Sequence, residues 1–429
     1  MRTRRCDRGG DTMGRMRRGV RRWHRPLVAV ATGAIAIVGI VAQPALAGTR
    51  PSHVADVGAI RSAPRTASVG GSGTASVLPA SVVAPTPTSL DFTYTASATL
   101  TSGSVSVAVP AGWTVPTTSN TTASTGVVSV VGSTITVSGV SLTSAQTLAV
   151  TYGAGADKVT PAPTGGFDTF TVSMTPTSSG TPAALSMSPS VYVYAKASPA
   201  LFKDVTMVPP AVFNYVGITS HRIMVAPPSI DRHQPAFVTR VHGVRVPASF
   251  YEGAGWCPYC ASNTWATIVA LARFGHFNQF YEMTSSPSDF APNTPSFTFY
   301  MSSYASPFLS FTGYEVQGPT LGQSLETPPK FIQALFQKYD PQEGWPFMDV
   351  GNLTIVYGAN FDPAAISKLN DTYIASHLRV GTNPFTRAIV ASANYLSAGI
   401  CASDGEKPAT VCKSVGVTKA DAALGLRKP

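Results

Sequence analysis

The sequence lacks the short motifs that mark several common enzyme classes. It contains no Gly-x-Ser-x-Gly elbow, no phosphate-binding loop and no dinucleotide-binding fingerprint, so nothing in it points to a serine hydrolase or a nucleotide-dependent enzyme. Among its few histidines, His221, His233 and His242 lie in one irregular stretch without the spacing of metal ligands. We therefore expect no metal and no nucleotide cofactor.

Charge is also scarce beyond the first residues. Residues 1–25 carry ten arginines against Asp7 and Asp11, which accounts for +8 of the net charge of +10. The rest of the chain carries a net charge of only about +2. A basic surface is what attracts a polyanion, so we expect no nucleic-acid partner.

An uncharged apolar run at residues 27–41 follows the arginines, and the small residues Ala45 and Ala47 precede Gly48. This three-part pattern predicts that residues 1–47 are a secretory signal peptide. The alternative is an uncleaved N-terminal membrane anchor, although the run is short for a spanning helix. We expect an exported, extracytoplasmic protein, secreted or held at the cell surface, in a compartment where paired cysteines form disulfides.

Two segments without cysteine come next. Residues 48–87 are rich in Ser, Ala, Gly and Pro, which predicts a flexible linker. Residues 88–197 alternate Val, Thr and Ser with short turn signals, which predicts an all-β, immunoglobulin-like sandwich. A disordered Ser/Thr stalk is the alternative, but Trp113 and Tyr194 offer core material. Charged residues are so few here that we expect no catalysis in this segment.

A second domain is predicted at residues 198–425, where charged and aromatic residues return and helical periodicity appears. A strand ending in glycines, a helix, β-rich pieces, a helix, a pair of short strands and further helices indicate a mixed α/β domain. In its first helix, Trp265, Ile268 and Val269 recur at helical spacing along one face. The protein is therefore expected to have several domains.

The motif WCPYC stands where the first strand of this domain gives way to its first helix. Unsatisfied backbone N–H groups and the helix dipole favour an anion there, so a thiolate at Cys257 is expected to be stabilised. Cys260, one turn further along, is then less exposed and placed to resolve a mixed disulfide formed at Cys257. The residues between them, Pro258 and Tyr259, influence the reduction potential.

Each cysteine pair also has an alternative role. Cys257 and Cys260 are alternatively a static disulfide, or two ligands of a zinc site that uses four cysteines, although the ten-residue gap between Cys401 and Cys412 fits such a site poorly. For Cys401 and Cys412 we predict a structural disulfide that pins the last long helix to the tail. A relay that exchanges with Cys257 is the alternative for this pair.

The motif and its surroundings resemble the thioredoxin superfamily. The order strand, WCPYC, helix is typical of that group, and Pro-Tyr between the cysteines is the pair seen in many glutaredoxins. The stretch GWPFMDVGN resembles the place where such proteins carry a cis-proline beside the active cysteines. The resemblance implies a cis bond at Pro346 and a substrate groove shaped by Trp256, Pro258, Tyr259, Trp345 and Pro346.

A closer resemblance covers residues of about 200–413. The stretches GAGWCPYCASNTWATIVALARFGHF, TSSPSDFAPNTPSFTFYMSSYASPFLSFTGYE and ICASDGEKPATVC resemble an exported thioredoxin-like group of bacteria and archaea, domain-of-unknown-function family 929. This implies a thioredoxin-like fold for residues 198–425 and leaves the substrate open. Members often carry an acidic residue where Gly255 stands, and the nearest carboxylate here is Glu252, our candidate for proton transfer.

The expected function is that of an exported thiol-disulfide oxidoreductase in which Cys257 attacks and Cys260 resolves. Its expected partners are thiols or disulfides of exported proteins, together with a membrane redox protein that recycles the cysteines. Contact with the membrane is expected only through residues 1–47, if they are not cleaved. The alternative is a non-catalytic surface or adhesion protein that uses a disulfide-stabilised thioredoxin-like scaffold.

Overall fold

The structure is a computed structural model that describes residues 71–342 and 344–426. The predicted signal peptide or anchor, residues 1–47, and the first part of the predicted linker, residues 48–70, lie outside the described residues. The described residues belong to one compact unit. None of the helices in the described ranges has the length and apolar character needed to cross a membrane.

The strands and helices follow the chain in this order. The strands are β1 Thr74–Leu78, β2 Ser81–Val83, β3 Leu90–Thr95, β4 Leu100–Ala108, β5 Thr121–Ala123, β6 Val127–Val131, β7 Thr134–Leu142, β8 Thr147–Tyr152, β9 Gly166–Thr169, β10 Thr171–Thr175, β11 Ala183–Ala184, β12 Ser190–Tyr194, β13 Ser229–Ile230, β14 Val238–Val241, β15 Val244–Ala254, β16 His276–Phe277, β17 Tyr281–Thr284, β18 Pro295–Thr298, β19 Tyr304–Ala305, β20 Ser310–Gln317, β21 Phe347–Val350 and β22 Thr354–Tyr357. The helices are α1 Pro199–Thr206, α2 Pro210–Val216, α3 Pro258–Leu271, α4 Lys330–Tyr339, α5 Asp371–Leu378, α6 Pro384–Asp404, α7 Ala409–Cys412 and α8 Val415–Leu424.

Residues 71–197, here called the β-region, form three sheets. Their strand orders are β1-β3-β8-β5, β11-β10-β4-β7-β6 and β2-β12-β9. Alternate residues of the longer strands are buried, as expected for strands with one face on a core. Phe92 and Trp113 each pack on Phe170 with ring centroids 5.1 Å apart. A disordered stalk is therefore wrong for this segment, because its aromatic residues form a shared core.

The β-region begins earlier than the sequence predicts. β1 and β2 lie inside residues 48–87, the range assigned to the linker, and β1 pairs along its whole length with β3. Val77 and Val82 are buried, so a segment rich in small residues still contributes apolar side chains at alternate positions. Such a pattern is enough for a strand at the border of a larger sheet.

The remaining residues, 198–426, form the α/β region around a sheet of order β13-β22-β21-β15-β14, with β20 also paired to β15. β15 and β20 are parallel, and α3 lies between them in the chain. β21 is antiparallel to β15 and to β22. The predicted succession of an all-β region and a mixed α/β region is therefore confirmed.

Helices cover both faces of this sheet. Tyr251 and Met348 belong to the core that contains α3 and α6, whereas Phe250 and Phe347 pack on Phe336 of α4. Neighbouring residues of β15 thus face opposite sides, as side chains of a strand do. The face of the sheet toward α3 and the face toward α4 therefore present different side chains near Cys257 and Cys260.

Helix α3 departs from the expected single apolar face. Every residue from Cys260 to Leu271 is buried, because α1, α6 and β18 pack around the helix. Its polar residues are satisfied by hydrogen bonds: the Asn263 side-chain amide donates to the Gly358 carbonyl oxygen at 2.9 Å, and the Thr264 hydroxyl donates to the Cys260 carbonyl oxygen at 3.0 Å. The amphipathic prediction was wrong because such polar residues need not face water.

Candidate redox site

Cys257 and Cys260 lie at the junction of β15 and α3, as the sequence predicts. Cys257 is the N-cap of α3, and its Sγ accepts a hydrogen bond from the backbone N–H of Cys260 at 3.2 Å. Pro258 is the first helical residue, a position where its missing N–H is not needed. Both cysteines are free thiols. The Cys257 sulfur thus caps the first turn of α3.

Two indole rings flank Cys257. The Cys257 thiol lies 3.8 Å from the Trp345 carbonyl oxygen, and the rings of Trp256 and Trp345 pack edge to face with centroids 6.3 Å apart. The Trp256 indole N–H donates to the Gln317 side chain at 2.8 Å. The Trp345–Pro346 bond is cis, as the resemblance implies. The structure thus brings Trp256, Trp345 and Pro346 together at the first cysteine.

Burial of the two cysteines is more nearly equal than expected. Cys257 is 4% exposed and Cys260 is 2% exposed, although the attacking cysteine was expected to be the accessible one. Pro258 is also buried. Tyr259 is exposed, and its ring packs on Phe290 with centroids 5.1 Å apart. Cys257 is therefore shielded by the side chains that flank it.

Burial raises the pKa of the Cys260 thiol well above its usual value, and Cys257 raises it further. The backbone N–H of Ala254 donates to Cys260 Sγ at 3.4 Å, which opposes that shift. The Tyr251 hydroxyl lies 3.4 Å from the Cys260 carbonyl oxygen. The Cys260 thiol is consequently a poor nucleophile at neutral pH unless a neighbouring group accepts its proton.

The carboxyl group predicted for proton transfer, Glu252, is buried next to Tyr251 in β15. Tyr251 faces α3, so Glu252 faces the other side of the sheet. There it lines a cavity of about 280 Å³ together with Glu326, Phe336 and Trp345. Trp345 thus borders both this cavity and Cys257.

Glu315, which the sequence reasoning missed, lies on the same side as Cys260. It stands in β20 opposite Gly253 and is 1% exposed. Burial raises the pKa of its carboxyl group to about 7, and its charge contributes to the raised pKa of Cys260. One carboxyl oxygen accepts the Phe299 N–H at 3.2 Å. The signal in the sequence was a lone acidic residue within the β-rich stretch FLSFTGYEV.

Close packing explains the glycine at position 255. A Cβ atom built there would lie 2.9 Å from the Gly318 carbonyl carbon, the Pro319 nitrogen and Met283 Sδ. Two of these atoms belong to backbone and cannot rotate away. An acidic side chain at this position would therefore require the segment after β20 to move.

The second cysteine pair is a disulfide, as predicted. Cys401 in α6 and Cys412 in α7 are joined, with Cα atoms 5.6 Å apart, and both are buried. Because this bond uses Cys401 and Cys412, a zinc site built from four cysteines lacks two of its ligands. Within residues 71–342 and 344–426, no group of three or more His, Cys, Asp or Glu side chains is placed to hold a metal ion.

Comparison with known proteins bears on the segment that holds this site. No curated protein and no solved structure matches the chain. Residues 245–402 match the model of a family described as a domain of unknown function, DUF929. The match extends from β15 into α6 and includes Cys257, Cys260 and Pro346. It confirms the expected resemblance over these residues: the candidate redox site lies in a segment similar to the DUF929 family.

Proposed function

We propose that the protein is an exported thiol-disulfide oxidoreductase that acts on thiols or disulfides of other exported proteins. The observation that carries this proposal is the position of Cys257, whose sulfur accepts the Cys260 N–H at the first turn of α3. A free thiol at that position, with a second free thiol one turn further on, suits exchange better than it suits a static crosslink.

The exchange proceeds in two steps. The Cys257 thiolate attacks one sulfur of a substrate disulfide, so that a Cys257–substrate disulfide forms and the other substrate sulfur leaves as a thiolate. Cys260 then loses its proton and attacks Cys257 Sγ, which releases the second substrate thiolate and leaves a Cys257–Cys260 disulfide. The substrate gains two electrons and the protein loses two. A dithiol protein, such as a membrane redox partner, restores the thiols, and the reverse sequence oxidises a substrate.

Glu315 is the group we assign to accept the Cys260 proton. Its pKa of about 7 leaves a useful fraction ionised near neutral pH, as general bases require. Its backbone N–H donates to the Glu326 carboxylate at 2.8 Å, and Glu326 lines the 280 Å³ cavity. Glu252, in the same cavity, remains the candidate that the sequence offered for passing the proton onward.

The arrangement of strands supports a thioredoxin-like fold for residues 198–425. In the order β22-β21-β15-β20, the pair β15–β20 is parallel and the other neighbouring strands are antiparallel, a mixed sheet that suits such a fold. Trp256, Tyr259, Trp345 and Pro346 would then border the substrate groove. For the β-region we propose an immunoglobulin-like sandwich that presents the α/β region outside the cell.

A second function has one observation in its favour. Cys257 is only 4% exposed, which suits a non-catalytic surface or adhesion protein whose buried thiols are inert. The two proposals differ in what they expect of thiol reactivity. Oxidoreductases have reduction potentials of about −270 to −120 mV, whereas structural disulfides fall below about −300 mV.

The test is the reduction potential of the Cys257–Cys260 pair in the full chain. The protein is equilibrated in glutathione buffers, free thiols are alkylated, and peptide masses report this pair separately from Cys401–Cys412. A potential within the oxidoreductase range, lost in Cys257→Ser, supports exchange. A pair that stays oxidised throughout, or thiols that never oxidise, would favour the scaffold function.

A further inference from the structure

The loop between β17 and β18, residues 285–294, stands beside the first turn of α3. The Ser286 N–H donates to the Trp256 carbonyl oxygen at 2.9 Å, and the Phe290 ring packs on the Tyr259 ring with centroids 5.1 Å apart. One loop therefore contacts both the residue before Cys257 and the second residue after it.

The rings of Tyr259 and Phe290, here called the aromatic pair, are open to solvent. Tyr259 is 43% exposed and Phe290 is 58% exposed. A single exposed apolar side chain needs no explanation, because much of any protein surface is apolar. Two aromatic rings in contact beside a free thiol form a patch, and exposed apolar patches are typical of binding surfaces.

The loop that carries Phe290 is held in shape by hydrogen bonds rather than by burial of the ring. Within the loop, the Thr294 hydroxyl donates to the Ala291 carbonyl oxygen at 2.8 Å. From outside the loop, the Ser367 hydroxyl donates to the Pro292 carbonyl oxygen at 2.6 Å. Phe290 is thus presented in a fixed position, and a preorganised side chain loses little conformational entropy when it binds a partner.

Few charges surround the aromatic pair. Asp289 is the one charged residue of the loop, and its carboxylate accepts the Phe290 N–H at 2.7 Å. The first turn of α3 carries no acidic residue. An exposed aromatic surface with so little charge binds apolar side chains in preference to charged or small polar ones.

The exchange reaction determines which molecule comes to the aromatic pair. A sulfur of the substrate bonds to Cys257 Sγ, so the chain on either side of the substrate cysteine passes over the residues next to Cys257. The exposed ring of Tyr259 is among these residues. A large apolar side chain near the substrate cysteine then covers the aromatic pair. Folded proteins bury most such side chains, whereas an unfolded chain presents them to its surroundings.

We propose that Tyr259 and Phe290 bind a large apolar side chain next to the cysteine of the substrate, so that the protein acts preferentially on unfolded exported proteins. This inference rests on the proposed function and names its substrate class. Phe290 is a specificity-determining residue in this assignment. Because it lies outside α3, its replacement leaves the Cys260 N–H and Cys257 Sγ in place.

The test uses two peptides of equal length and charge, one with phenylalanine and one with serine two residues from its cysteine. Each cysteine is linked to 2-nitro-5-thiobenzoate. Attack by the Cys257 thiolate on the peptide sulfur forms a disulfide between Cys257 and the peptide and releases the coloured thiolate, whose appearance gives the rate constant. We expect the reduced full chain to react about ten-fold faster with the phenylalanine peptide, and Phe290→Ser to react equally with both.

Two further variants serve as controls. Phe290→Leu keeps an apolar side chain and should retain most of the preference. Phe331→Ser removes a phenylalanine of α4 that is 51% exposed and should leave the preference unchanged. All variants should react alike with 5,5′-dithiobis(2-nitrobenzoate), a small disulfide without a peptide. Equal rates with the two peptides in the native chain would overturn the inference while the proposed function stands.

A second measurement does not depend on thiol exchange. The phenylalanine peptide, with serine in place of its cysteine, is titrated into the native chain, and the ring resonances of Tyr259 and Phe290 are followed by NMR. Shifted resonances in a chain that exchanges no disulfide would uphold the apolar docking and overturn the proposed function alone. Unshifted resonances would overturn the inference. A dimer of the chain that dissociates in Phe290→Ser would also overturn it, because a second copy would then cover the aromatic pair.

Discussion

The backbone N–H of Cys260 donates a hydrogen bond to Cys257 Sγ at 3.2 Å, so the second cysteine of the motif holds the first in place before any disulfide forms. The donor belongs to the backbone, so it survives replacement of the Cys260 side chain. The two cysteines can therefore be separated by mutation without loss of this contact.

Replacement of each cysteine should give a different result. Cys260→Ser keeps the attacking thiol and its N–H donor, so we expect mixed disulfides at Cys257 to accumulate when the protein meets a disulfide of an exported protein, whose other sulfur leaves as a thiolate. Cys257→Ser should form none, because Cys260 is buried and its pKa is raised. Non-reducing electrophoresis with peptide mapping checks this. Mixed disulfides at Cys260 in Cys257→Ser would reverse the assigned roles.

Stability should fall as pH rises through the titration of Glu315. Its pKa is raised from 4.5 to about 7 by burial, so the folded state binds a proton more tightly than the unfolded state. The resulting stabilisation is present below the unfolded pKa and is lost as pH rises through about 7, with a change on the order of 3 kcal/mol. Urea unfolding of the native chain and Glu315→Gln across this range measures it. A pH dependence equally steep in both proteins would contradict the assignment.

The Cys401–Cys412 disulfide should stabilise the fold without taking part in exchange. Joining α6 to α7 across a separation of 11 residues restricts the unfolded chain, an effect of about 3 kcal/mol. We expect the double replacement Cys401→Ser, Cys412→Ser to lower the free energy of unfolding by that amount and to leave the potential of the other pair unchanged. A potential that shifts with this replacement would favour a relay between the pairs.

Any side chain at position 255 should force the neighbouring backbone to move. A Cβ in Gly255→Ala meets the backbone of Gly318 and Pro319 at 2.9 Å, and overpacking of this kind costs about 1–3 kcal/mol. Gly165→Ala is a suitable control, because the nearest atom to its Cβ is the Ala195 methyl group at 3.3 Å. Chemical denaturation compares the two variants. An equal loss of stability in both variants would mean that the segment after β20 shifts easily to make room for the methyl group.

The sequence predicted the order of the two regions and the place of the cysteine motif, because both depend on local patterns. Alternating Val and Thr define strands, and a glycine-terminated strand before Pro258 defines the start of a helix. It did not predict Glu315, because only the parallel pairing of β15 with β20 brings that residue to the side of Cys260. The sequence also could not show which face of the sheet Glu252 occupies, because one step along a strand changes the face.

The sequence also did not predict where the β-region starts or that α3 is buried, again for physical reasons. Val77 and Val82 stand among residues typical of a flexible chain, and their partners in the sheet come from later in the sequence. Helix α3 carries polar residues that indicate an exposed face, but hydrogen bonds such as Asn263 to Gly358 satisfy them inside the protein. In both cases the partner residues lie elsewhere in the sequence, so the local pattern does not reveal the contact.

The backbone also joins the two regions. Ala197 N–H donates to the Phe280 carbonyl oxygen at 2.9 Å, and Glu282 N–H donates to the Ala195 carbonyl oxygen at 2.8 Å. A truncated protein that begins near residue 198 would lose these bonds and expose Tyr281 and Met283 to water. These exposed side chains would make the fragment prone to aggregation. A loss of activity in the fragment would then reflect damage at the site of truncation. Studies of this enzyme candidate should therefore keep both regions in one polypeptide.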